Sequence, residues 1–274
     1  MELQNYQIDF NIPRIMGILN ITPDSFSDGG KYLEIDQALD RARHLEQEGA
    51  DIIDIGGEST RPGAGAVSDT EELRRVLPVI AAIRSRSSIL MSIDTYKARV
   101  AEEALQHGVN WINDISGLRF DQEMVRVVKK WDCPVVVMHM LGSPQTMQEN
   151  PYYQNVIMDL HAFFTERIQF LNALGITKII LDPGIGFGKR LEDNFLILRH
   201  LNSFKHYGYP LLLGTSRKSF IGTVTGRAVE DRLAGTLATI AWSVVQGASV
   251  VRTHDVAAAR DTVKMIDRII TAST

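Results

Sequence analysis

A single cysteine in 274 residues, Cys133, has no internal disulfide partner and is too little sulfur for a cysteine-built metal centre. It precedes Pro134 and an apolar run, and reads as a packing residue. Neither sign of charge dominates: acids and bases intersperse to a net −4, which argues against a nucleic-acid or anionic-membrane surface. No apolar run reaches the length of a membrane-spanning helix. The first residues, MELQNYQIDFNIPRI, alternate polar and apolar side chains without the basic start and apolar core of a secretory leader. No nucleic-acid or membrane partner, a small-molecule partner and a reducing, cytoplasmic setting are therefore expected. Linkers and low-complexity segments are absent too. Residues 1–274, with 45% hydrophobic content, are expected to fold as one domain with a large core.

What the chain does contain is a repeat of short apolar, β-branched runs: RIMGILNIT, ADIIDIGG, SILMSIDT, VNWINDISG, PVVVMHM, TKIILDPG, PLLLGTS and ASVVRTHD. Each is apolar on both faces, as strands of a parallel sheet covered by helices must be. Amphipathic segments lie between them, at residues 37–48, 71–84, 97–107, 121–130, 157–174, 194–204, 232–246 and 256–270. Eight βα units match a TIM barrel of about 250 residues, whereas a doubly wound sheet stops at about five to seven strands. The fold class is α/β, a (β/α)₈ barrel, with residues 1–13 forming a short N-terminal β-hairpin that closes its bottom.

In such a barrel the C-terminal strand ends and the loops after them build the active site. Reading only those ends gives Asn20, Asp54, Glu58 to Arg61, Asp94, Asn113 with Asp114, His139, Asp182, Ser216 to Ser219, and Arg252 with His254. Polar groups there are costly unless a ligand or neighbour satisfies them. Carboxylates and amides suit the donor and acceptor edge of a flat heterocycle, while Arg, Lys and His suit a phosphate or diphosphate. The expected ligand has one aromatic polar end and one anionic end. The first run, MGILNITPDSFSDGG, changes from strand to polar, turn-forming residues at the same barrel end. Thr95 and Asp114 read as local caps, and His139 is equally compatible with packing. GIGFGKR lacks the spacing and hydroxyl of a phosphate loop. Glu71, Glu72, Arg74 and Arg75 read as a solvated helix face.

The strings GILNITPDSFSDGG, DIIDIGGESTRPGA, SIDTYKARVAEEAL, INDISG, MHMLGSPQTMQ, ILDPGIGFGK, GTSRKSFIG and VRTHDV fall one per strand. In that order they resemble the dihydropteroate synthase family of pterin-binding enzymes, over residues 14–260. The resemblance implies condensation of (7,8-dihydropterin-6-yl)methyl diphosphate with 4-aminobenzoate by an SN1-like route, a step of folate biosynthesis inhibited by sulfonamides. It implies that Asp182, Asn113 and Asp94 read the pterin edge, with Met138 as apolar wall. Lys218 donates to the ring, and Arg252 stacks on its face. Arg252 and His254 hold the diphosphate, and Asn20 holds Mg²⁺. Thr60, Arg61 and Pro62 form a second loop, while Ser219, Phe187 and Pro62 take the 4-aminobenzoate. The loop after the first strand becomes a lid in which Phe26 covers the amine pocket and Asp28 stabilises the cationic intermediate or the incoming amine. Lys218, Arg252, His254 and Asp28 are thus the expected catalytic residues, and a homodimer is the expected assembly.

Two alternatives share this barrel. A pterin-dependent methyltransferase module would not need TPDSFSDGG or TSRKSF, and a non-catalytic pterin-binding protein would be expected to lose Lys218, Arg252 or His254, all of which are present.

Overall fold

The computed structural model describes all residues except 1, 4, 5, 23–30, 60–62, 64, 273 and 274. A two-stranded antiparallel hairpin, β1 (Glu2–Leu3) and β2 (Tyr6–Gln7), opens the chain. The repeat follows: β3 (Arg14–Asn20), α1 (Lys31–Gln47), β4 (Ile52–Gly56), α2 (Asp69–Arg84), β5 (Leu90–Asp94), α3 (Ala98–Gln106), β6 (Trp111–Asp114) and α4 (Met124–Trp131). It continues with β7 (Val135–Met138), α5 (Val156–Ala173), β8 (Ile179–Asp182), α6 (Leu191–Arg199), β9 (Leu212–Leu213), α7 (Ser219–Thr225), α8 (Leu233–Val245), β10 (Val250–Thr253) and α9 (Val256–Ile270). Strands β3 to β10 pair in parallel in the order β8-β7-β6-β5-β4-β3-β10-β9. A parallel bridge between Leu181 and Leu211 joins the two ends, so the sheet closes into the expected barrel.

Two apolar layers hold it together. Inside the barrel, Met16, Ile52, Trp111, Val136, Ile180, Leu212 and Val250 pack at the N-terminal end, with Ile8 inserted among them and Phe10 against Trp111. The chain leaving the hairpin therefore plugs the barrel bottom. Between barrel and helices runs a larger shell built from alternate strand residues and the buried faces of the helices, including Ile53, Ile55, Val76 and Ile80. Local chemistry sets the helix starts: Ser68 Oγ accepts from Glu71 N at 3.3 Å, and Asn155 Oδ1 accepts from Ile157 N and Met158 N at 3.1 and 3.2 Å.

Two sequence expectations are altered. The segment 194–204 is not one helix: α6 stops at Arg199 and a 3₁₀ helix, Leu201–Tyr207, follows. Leu201 and Phe204, three apart, are both buried, and the three-residue period of that turn puts them on one side. The charge run of α2 is not wholly solvated. Glu72 is buried and takes the Lys97 ammonium at 2.5 Å, and Lys97 also binds Glu58. On α8, Ile240 and Val244 are buried and Leu237 packs on the same core.

Candidate active site

The register puts Asn20, Gly56, Asp94 and Asn113 side by side at one level, the C-terminal end of four neighbouring strands, and Met138 beside Asp182 on the next two. Arg252 on β10 reaches across the barrel between two carboxylates. Its Nε donates to Asp54 Oδ2 at 2.6 Å and its Nη2 to Asp94 Oδ2 at 2.7 Å. Asn113 Nδ2 donates to the same Asp54 oxygen at 3.0 Å. With both carboxylates on its edge, the guanidinium is fixed in orientation while its flat face is not used by these bonds. Asp54 Oδ1 and Asp94 Oδ1 are buried and have no hydrogen-bond partner among the described residues. Burial pushes Asp94 up to about 7; Arg252 opposes this, and Asp54 and Glu72 add to it.

Asp182 stands on the other side of the mouth. Its Oδ1 accepts from Gly184 N at 2.7 Å. Burial raises it to about 6, against that N–H and the charges of Lys218, Lys189 and Arg252. Lys218 follows β9, with its Nζ 4.0 Å from the centre of the Phe187 ring. Burial, reinforced by Arg252, lowers it to about 8, with Asp182 and Asp94 opposing. Met138 and Phe187 share a small apolar cluster with Ile115, Met140 and Met147. Ser219 is exposed as the first residue of α7, where backbone N–H groups lack helical partners.

His254 follows β10. Its Nδ1 lies 2.9 Å from Ser216 Oγ, and that oxygen accepts from His254 N at 3.2 Å. In the tautomer where the serine hydrogen goes to Nδ1, Nε2–H is the free donor. Burial, then Arg252 and Arg217, lower His254 to about 4, so at neutral pH the ring is uncharged. The Asn20 carboxamide has no hydrogen-bond partner among the described residues, and its Oδ1 lies beside Gly56, 3.6 Å from where a Cβ would stand.

The described strand-end residues Asn20, Asp94, Asn113, Met138, Asp182, Phe187, Lys218, Ser219, Arg252 and His254 all lie at the C-terminal end of the barrel. Phe26, Asp28, Thr60, Arg61 and Pro62, and with them both loop assignments, lie outside the described residues. Asp54 was read as one of the polar strand ends but given no role in the site. The signal was an aspartate between isoleucines, inside a strand, where a charge has to be paired. His139 is a packing residue: it is buried, set edge-on against Phe163 at 4.9 Å, and bonded through Nδ1 to Lys189 Nζ at 3.1 Å. Asp114 does cap locally, accepting from Ser116 N and Oγ. Thr95 Oγ1 accepts from Lys97 N at 3.2 Å, but the first N–H of α3 goes to Asp121.

Comparison with known proteins agrees with this geometry. Residues 16–254 match the family described as pterin binding enzyme. The dihydropteroate synthase of Haemophilus influenzae is 47% identical over 263 residues, 95% of each chain. Among solved structures, Yersinia pestis dihydropteroate synthase with a sulfonamide drug superposes with a TM-score of 0.94 at 42% identity, over 99% of both chains. The Xanthomonas albilineans enzyme in complex with 7,8-dihydropteroate gives 0.87 at 38%, over 97% of both. The chain belongs to the pterin binding enzyme family and, within it, to the dihydropteroate synthases, which are transferases.

Proposed function

We propose that the chain joins (7,8-dihydropterin-6-yl)methyl diphosphate to 4-aminobenzoate, giving 7,8-dihydropteroate and diphosphate. The observation that carries this is the acceptor set at the mouth. Asp94 Oδ1 is buried without a partner among the described residues, and Asp182 directs one oxygen to Gly184, with Lys218 as the donor nearby. A pterin offers the complementary edge: an amino group and ring N–H toward the carboxylates, a carbonyl and ring nitrogen toward Lys218. Asn113 extends that edge, Met138 walls it, and the Arg252 face is available for stacking.

In an SN1-like route the bond from the exocyclic methylene to diphosphate breaks first, and its electron pair leaves with the diphosphate. The aminobenzoate nitrogen then forms the new C–N bond and gives up a proton. Arg252 and the Nε2–H of His254 stabilise the departing charge as donors already oriented by Asp54, Asp94 and Ser216. Asn20 fits Mg²⁺: a neutral carboxamide oxygen with no hydrogen-bond partner among the described residues suits a hard cation that would take its other ligands from diphosphate and water. Among the described residues no group of three His, Cys, Asp or Glu could hold a metal without the substrate. When bound, Mg²⁺ supplies positive charge to the diphosphate.

To 4-aminobenzoate we assign Ser219 and the Phe187 ring, with Thr60, Arg61 and Pro62 from the second loop. Phe26 and Asp28 are assigned to the lid, as the sequence resemblance implies. Sulfonamides are expected at the same position. A single domain over 1–274, a cytoplasmic location and a homodimer complete the proposal. The one free thiol, Cys133, is buried, in keeping with a reducing compartment, and Met265, Ile269 and Trp242 are exposed apolar side chains on α9 and α8 available to a second copy. The test is diphosphate release in the presence of pterin diphosphate, Mg²⁺ and 4-aminobenzoate. Protein that binds the pterin and releases nothing overturns the proposal.

A further inference from the structure

The loop between β8 and α6, GIGFGK, resembles a phosphate loop in composition, yet its lysine points inward. Lys189 is 3% exposed, and its ammonium donates to Phe187 O at 2.9 Å, to His139 O at 3.1 Å and to His139 Nδ1 at 3.1 Å. Three donors meet three neutral acceptors, and no carboxylate lies within ion-pair distance of it among the described residues. The bond to Nδ1 fixes His139 as the neutral tautomer with hydrogen on Nε2. Gly184 joins this lysine to the substrate floor. Its N–H is bound by Asp182, and a Cβ on it would stand 3.3 Å from Lys189 Nζ. Phe187, whose carbonyl Lys189 holds, has Lys218 over its ring.

We propose that Lys189 is a positioning residue for this reaction, a buried ammonium that fixes Phe187 as the wall of the aminobenzoate pocket and sets a positive charge behind Asp182. The proposal rests on the assignment of Asp182 to the pterin and Phe187 to the aminobenzoate. A neutral residue of the same length would hold neither. The groups that face Lys189 are His139 after β7, Asp182 on β8, Lys218 after β9 and Asp193 on α6; those that act on Asp182 are Lys218, Lys189 and Arg252. Burial lowers Lys189 to about 7, Asp182 opposing, so the charge is retained on the acid side, where Asp182 itself titrates.

The test is calorimetric titration of dihydropterin diphosphate from about pH 5 to about pH 9 into wild type, Lys189→Met and Lys189→Arg, together with KM for 4-aminobenzoate. In Lys189→Met the acid limb of pterin binding is expected to move up by about 1 pH unit, with wild-type affinity restored at the alkaline end. KM for 4-aminobenzoate is expected to rise about tenfold. Lys189→Arg keeps the charge but cannot match three converging acceptors with a planar fork. Its acid limb should stay in place while its KM rises. Coincident acid limbs in wild type and Lys189→Met, or an unchanged KM in both variants, overturn the proposal. If Lys189→Met does not fold, Lys189→Arg decides, and a displaced limb there overturns it. Wild type that binds no pterin overturns the proposed function instead.

Discussion

Asp182 shows how one side chain can serve the ligand at the expense of the fold. Its carboxyl titrates at about 6 in the folded protein against 3.8 as an ordinary value, so between those pH values the folded state binds protons that the unfolded chain has released. Stability from this group is therefore present at low pH and is lost as pH rises through about 6. Asp182→Asn carries no charge at any pH and keeps an oxygen for the Gly184 N–H. In the absence of ligand at pH 8 it is expected to be more stable than wild type, on the order of 1–3 kcal/mol, while pterin affinity collapses because one acceptor has become a donor. Denaturant melts and calorimetric titration on the same preparation check both halves. A variant that is less stable, or that binds pterin as wild type does, contradicts the role given to this residue.

At the scale of elements, strand ends and loops carry the site, and their legibility in the sequence differs sharply. All eight barrel strands were readable because both of their faces are apolar, and the polar residues at or just after their C-terminal ends mark the mouth. The Asp54–Arg252 pair was not readable, since 198 residues separate partners that only barrel closure brings together. Nor was the inward turn of Lys189, because composition does not say which side of a loop a side chain takes. Backbone conformation supplies what composition lacks. Gly184 has φ +68° and a Cβ there would stand 2.0 Å from His139 O, whereas Gly208, at φ +75°, has open space around it. Gly184→Ala is expected to cost more than about 3 kcal/mol or to prevent folding, and Gly208→Ala about 1 kcal/mol. Thermal unfolding of the pair measures the difference, and equal losses would contradict the packing described for this loop.

For the molecule as a whole, the two ends of the barrel do different work. The bottom is closed by Ile8 and Phe10 on a layer of strand residues, with no part of the proposed site nearby. Ile8→Ala is expected to cost about 2–4 kcal/mol and to leave kcat and both KM values unchanged. Stability and steady-state kinetics, measured together, decide it; a change in KM with no loss of stability would contradict this division.

The closure itself is uneven. β3, β4 and β5 pair over five residues at each junction, while β9 pairs with β10 over two and meets β8 at the single Leu181–Leu211 bridge, where Leu181 N also donates to Pro210 O at 2.9 Å. Asp182 stands on one lip of that seam and Lys218 follows the other. A pterin held by both, as proposed, would work as a rivet across the barrel's weakest joint, tying by ligand what the backbone ties lightly. Amide exchange at Leu181, Leu212 and Leu213 is therefore expected to slow on pterin binding more than at Ile53 or Ile93, and uniform slowing around the barrel would contradict it. On this view the substrate completes the hoop that holds it.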